Sequence, residues 1–105
     1  MAQFDVYENP TPRSKKGLPY LLDVQCDLLS GLQTRVVVPL ARPEVTRGLL
    51  IERLTPQLEF DGVVLVMLTP EVAGVPASSL GRCVGTLAHR RGDILGALDV
   101  LLTGI

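Results

Sequence analysis

The chain has 105 residues, 47% hydrophobic and 20% charged, which is ordinary globular composition and excludes a disordered chain, because there is ample apolar surface to offset the entropy of ordering. At this length it is expected to be one domain, residues 1–105, with a core thin enough that a partner subunit would help. Ten Lys and Arg stand against 11 Asp and Glu, so no long-range field draws a polyanion and any nucleic-acid contact has to be local or indirect.

In chain order, Gln3 to Tyr7 alternates Phe4 and Val6 against Asp5 and Tyr7, the period-2 pattern of a half-buried strand. Glu8 to Gly17 (ENPTPRSKKG) carries two prolines, a glycine and three basic residues, which predicts an exposed, mobile hairpin loop. From Pro19 to Asp27, Tyr20, Leu22, Val24 and Cys26 fall on one face and Asp23, Gln25 and Asp27 on the other, predicting a second, antiparallel strand. Leu28 and Leu29 follow it into Ser30 and Gly31.

Arg35 to Leu40 reads as a third strand, limited by Pro39 to an edge or a strand end because proline cannot donate to a ladder. Ala41 to Gly48 reads as loop. Leu49 to Phe60 has β-type residues interrupted by Pro56, an irregular or edge strand, and Asp61-Gly62 is a type I′ hairpin signal leading into Val63 to Leu68. Pro70 to Ser79 is turn-rich, with Val72 and Val75 as anchors.

The C-terminal segment changes period. Ile94, Leu95, Leu98, Leu101 and Leu102 share one side of a helix beginning near Leu87, and Gly92, Gly96, Asp99 and Thr103 form the opposite, outward stripe. Two interior glycines each cost a helix about 1 kcal/mol relative to alanine. They either permit a close approach or reflect drift on an exposed face.

The basic clusters, Arg13, Lys15 and Lys16 and the pair Arg90 and Arg91, are not interleaved with aromatics and read as a solvated loop and a solvated helix turn. Cys26 and Cys83 lack zinc-site spacing, and reduced thiols are expected of them. Asp5, Glu8 and Pro10 interrupt the start before any apolar run of signal-peptide length, and no run reaches the ~18 residues of a membrane span, so a cytoplasmic protein without membrane contact is expected. Catalysis finds little to work with. His89 is the lone histidine, expected at the surface or near a helix cap, while Ser78 and Ser79 sit in a small-residue turn outside any nucleophile motif. No catalytic residue, metal ligand or cofactor is assigned.

Several short pieces, taken together, carry a family resemblance: Gln3-Phe4-x-Val6-Tyr7, Asp23-Val24-Gln25-x-Asp27, Pro39-Leu40-Ala41, Leu54-x-Pro56, Val75-Pro76, Leu87-x-His89-Arg90, Asp93-Ile94 and Gly104-Ile105. In this order and at these separations the chain resembles the CcdB toxins from residue 3 to 105, with the chief length difference in the Glu8 to Gly17 loop. The resemblance implies a mainly β fold: an SH3-like barrel of antiparallel strands with a small extra sheet, one C-terminal α-helix, and a homodimer. It also implies a toxin of a type II toxin-antitoxin system that binds the A subunit of DNA gyrase and traps it with cleaved DNA. A CcdA-like antitoxin would neutralise it by wrapping it with a disordered segment, and DNA would be reached only through antitoxin or gyrase.

By the same resemblance, gyrase meets the outward helix stripe, a terminal Trp-Gly-Ile and an apolar pair after the second strand. Here Gly104 and Ile105 match and Leu28 and Leu29 keep the apolar character. Thr103 stands in place of the tryptophan and Asp99 in place of an asparagine. That departure favours an alternative, a CcdB-like protein that has lost gyrase poisoning and serves as an antitoxin-binding or transcription-regulating subunit. A third reading, a messenger-RNA endonuclease on a related barrel, would want a basic groove with acid and base groups, which a net charge of -1 disfavours.

Overall fold

Among the described residues, seven strands precede one helix: β1 (Asp5–Glu8), β2 (Tyr20–Asp23), β3 (Thr34–Ala41), β4 (Gln57–Phe60), β5 (Val63–Met67), β6 (Ala73–Pro76), β7 (Cys83–Thr86) and α1 (Arg91–Thr103). The computed structural model describes residues 1–46, 48 and 50–104. All strand pairs are antiparallel, in one curled half-barrel sheet of order β4-β5-β3-β2-β1-β7, with β6 branching from β3. Where a small extra sheet is expected, a single strand, β6, branches from β3 within the same seven-stranded sheet.

β3 explains where the sequence pattern misplaced Pro39. The strand is central, not an edge: β2 runs along one side of it, while the other side pairs β6 over Thr34 to Val37 and β5 at Leu40 and Ala41. Val24 N–H donates to Val36 C=O, so the backbone groups of even-numbered β3 residues face β2 and those of odd-numbered ones face away. The missing N–H of Pro39 therefore falls in the gap between the end of β5, at Met67, and the start of β6, at Ala73. Its carbonyl, on the same side, accepts Leu68 N–H at 3.0 Å.

One sheet face and the helix enclose the core. Val6, Leu22, Val38 and Leu40 from the central strands meet Leu58, Leu65 and Met67 from the β4–β5 hairpin and Leu87, Ile94 and Ala97 from the C-terminal segment. Leu22, Leu40, Leu58, Leu65, Met67, Leu87 and Ile94 are fully buried, each contributing roughly 1.5–3 kcal/mol over an exposed position. The edges β4 and β7 approach through side chains. The Phe60 ring lies so close to Gly85 that a Cβ there would sit 2.7 Å from Cε1, and Arg90 Nη2 donates to Gln57 O at 3.3 Å.

Local chemistry accounts for the turns. Asp61 (φ 53°) and Gly62 (φ 78°) are both left-handed, as a type I′ turn requires, and Phe60 pairs with Val63 across them. The Glu8 to Gly17 loop exposes its basic side chains but is organised around buried Asn9, whose Nδ2 donates to Ser14 Oγ and Leu18 O and whose Oδ1 accepts Thr11 N–H. β4 begins only at Gln57, because Pro56 ends a turn in which Leu54 and Thr55 N–H both bond Ile51 O; Leu49 lies outside the described residues. β6 replaces part of what reads as turn, and β7 forms in a segment to which the sequence pattern assigns no element.

α1 starts at Arg91, after a 3-10 turn over Ala88–Arg90, four residues later than the periodicity predicts. Ile94 and Ala97 are its buried residues, with Leu95 and Leu98 packed partly against the core. Leu102 is 78% exposed and leaves the inward side to which its spacing assigns it.

Candidate protein-binding site

The residues carried over by resemblance lie in two places. Leu28 and Leu29 belong to a 3-10 turn, Asp27–Leu29, in the connection from β2 to β3. Leu28 is 92% exposed and Leu29 50%, with Leu32 also open beside them in sequence. No residue of that turn is buried and no side chain caps it, so packing anchors it weakly. Neighbouring polar side chains hold it instead.

Gln25 is central to that support. Its side chain, in a residue only 6% exposed, donates from Nε2 to Leu29 O at 2.9 Å and accepts Val36 N–H on Oε1 at 3.1 Å. Its own N–H donates to Asp23 Oδ1 at 2.9 Å. On the turn's other flank, Asp27 Oδ1 accepts Gln3 N–H at 2.7 Å, and Gln3 Nε2 donates to Val24 O. Gln3 Oε1 in turn accepts Arg91 Nη1 at 3.4 Å, while the Arg91 guanidinium lies 5.6 Å from the centroid of the Phe4 ring.

Beneath Gln25 sits a buried ion pair. Asp23 Oδ2 accepts Arg35 Nε at 2.8 Å and lies 2.7 Å from Nη2, both side chains being essentially sealed from water. Arg35 Nη1 has no hydrogen-bond partner among the described residues. Burial pushes the Asp23 carboxyl above its ordinary range, against the pull of Gln25 N–H and Arg35. Tyr7, buried on the same side of β1, is pushed up to about 12 by desolvation and by the Asp5, Cys83 and Asp23 charges. The alternation that put Tyr7, Asp23 and Gln25 on a wet face is corrected here: the curled sheet closes both faces, so polar residues on the second face must satisfy one another.

The second place is the end of α1. Asp99 and Thr103 are exposed, as the outward stripe requires, as is Gly92, while Gly96 is half-buried. Thr103 Oγ1 donates to Asp99 O at 2.6 Å, and Gly104 closes the helix in the left-handed conformation (φ 75°), donating N–H to Val100 O. Ile105 lies outside the described residues. Among the described residues no hydrogen bond or ion pair joins Leu28 or Leu29 to Asp99, Thr103 or Gly104. The link from turn to helix runs through Gln3 to Arg91, at the opposite helix end.

Other chemistry is sparse. His89 is exposed in the 3-10 turn before α1, and both cysteines are free and exposed. Among the described residues no three His, Cys, Asp or Glu are placed to hold a metal ion, and no helix is long and apolar enough to cross a membrane. A cleft of about 650 Å³ between Tyr20, Phe60 and Cys83 contains a carboxylate already paired, Glu8 with Arg82 at 3.1 Å.

Sequence signals for the supporting residues existed but pointed elsewhere. Gln25 and Asp23 stand beside Leu28 and Leu29 in the chain, yet their period-2 spacing marks them as solvent-facing. Among known families, the model of the CcdB protein family matches residues 3–104. The chain therefore belongs to the CcdB family, the toxin side of type II toxin-antitoxin systems.

Proposed function

We propose that this protein is a cytoplasmic gyrase-directed toxin that acts as a homodimer. In this reading Leu28 and Leu29 and the outward end of α1, Asp99, Thr103, Gly104 and Ile105, bind the A subunit of DNA gyrase and trap the cleaved-DNA complex. A CcdA-like antitoxin removes the toxin by wrapping it. What supports the reading most is Leu28: a leucine 92% exposed on a turn tied to the fold by polar side chains is a side chain held out for a partner.

The test is calorimetric titration of the gyrase A subunit with the parent, Thr103→Trp and a chain truncated before Gly104. A tryptophan beside Gly104 and Ile105 supplies a rigid aromatic anchor, so Thr103→Trp should bind at least about tenfold more tightly than the parent. Truncation should weaken binding. If neither the parent nor Thr103→Trp binds, the regulatory alternative takes over, and Thr103 in place of the family's tryptophan is the observation favouring it.

A further inference from the structure

We propose that Gln25 is a positioning residue that presents Leu28 and Leu29 to the partner; the inference rests on the reading that this pair belongs to the binding surface. The 3-10 turn over Asp27–Leu29 has no buried residue and no side-chain cap, so packing contributes little to its conformation. It also lacks the length to hold itself, since a single turn fixes several dihedrals for very few hydrogen bonds. Leu29 O is where the turn is gripped. It accepts Leu32 N–H from beyond the turn and Gln25 Nε2 from within the fold.

Glutamine suits the position because one end of the side chain must donate and the other accept. Nε2 holds the turn at Leu29 O and Oε1 holds β3 at Val36 N–H, so the side chain spans from a rigid central strand to an exposed turn. Its backbone is fixed from below by Asp23 Oδ1, itself gripped by Arg35. A turn held in its bound form before the partner arrives avoids the ordering cost at association. Gln25 reaches Leu28 and Leu29 only through the backbone, so its contribution is to their placement.

Gln25→Glu separates the two ends: a carboxylate keeps the acceptor for Val36 N–H and loses the donor to Leu29 O. Amide hydrogen exchange of Leu29, Ser30 and Leu32 should accelerate about tenfold in this variant while Val36 stays protected. Affinity for the gyrase A subunit should fall about tenfold. Leu28→Ala should then cost less affinity in the Gln25→Glu background than in the parent, as expected of residues acting as a unit. Gln25→Met, of similar length without buried charge, serves if the first variant does not fold; it should accelerate exchange at Val36 as well.

Unchanged exchange at Leu29, Ser30 and Leu32 overturns the proposal, as does strict additivity of Gln25→Glu with Leu28→Ala. A parent that does not bind the gyrase A subunit at all overturns the functional reading instead. Placement of the turn by Gln25 is then decided by the exchange rates alone.

Discussion

The turn over Asp27–Leu29 and the last turn of α1 each hold a leucine in water, Leu28 at 92% and Leu102 at 78% exposure, but they are built by opposite means. The turn depends on side chains: Gln25 inside, Asp27 to Gln3 outside, and the Asp23–Arg35 pair beneath. The helix end depends on backbone periodicity and closes on Gly104, with Thr103 bonding back to Asp99 O. A surface held by named side chains fails when one of them is changed. A surface held by a helix tolerates most changes and records chiefly what is placed on it.

The largest expected effect breaks the first half of this contrast. Asp23→Ala leaves the Arg35 guanidinium buried without its counter-charge, and such losses cost about 3–5 kcal/mol, lowering Tm by on the order of 20 °C in a domain this small. Replacing both partners with apolar residues, Asp23→Leu with Arg35→Met, should recover most of the stability because no orphaned charge remains. The turn would still lose the acceptor for Gln25 N–H. Thermal melts of parent, single and double variants decide this, and a loss below about 1 kcal/mol for Asp23→Ala would show that the pair does not hold the fold.

A smaller effect sharpens the second half. At Gly92 and Gly96 an added Cβ would meet nothing within 4 Å, so packing inside the chain does not demand glycine at either. Each Gly→Ala exchange should add about 1 kcal/mol of helix stability, read as a rise in Tm measured at concentrations where the chain is dilute. If the exchanges lower Tm, or do so only when the protein is concentrated, the stripe packs against another copy and the helix end is less independent than its single-chain geometry makes it.

The same contrast explains what the sequence could disclose. Phe4, Val6, Leu22 and Val24 were legible as core because they alternate, and Asp61-Gly62 because only a turn with two left-handed residues wants that pair. Tyr7, Asp23, Gln25 and Arg35 were not, since alternation assumes that one face of a sheet stays wet and this sheet curls over both. β6 (AGVP) and β7 (CVGT) each carry glycine or proline and too few β-branched residues to signal strands, and long-range pairing with β3 and β1 makes them. Leu102 shares the spacing of Leu95 and Leu98 but not their packing against the core. Leu28 and Leu29 stood out only through the family resemblance. The bonds that place them come from Gln3, 25 and 26 residues away in sequence, and from Gln25, which owes its own footing to the distant Arg35.

The smallest expected effect concerns a third surface segment, the Glu8 to Gly17 loop, which is organised as the Asp27–Leu29 turn is. One buried amide, Asn9, grips Thr11, Ser14 and Leu18, while the basic residues point outward. Lys15 lies 4.0 Å from Glu8 Oε2 with its side chain 54% exposed, and an exposed pair at that separation contributes at most a few tenths of a kcal/mol. Lys15→Ala should therefore shift unfolding free energy by no more than about 0.5 kcal/mol, with the difference shrinking further in high salt as screening removes the pair's attraction. Denaturant titrations at low and high ionic strength measure both. A loss near 2 kcal/mol that persists in salt would mean that the lysine, and not Asn9, holds the loop, and that charge rather than a buried amide builds the exposed turns of this fold.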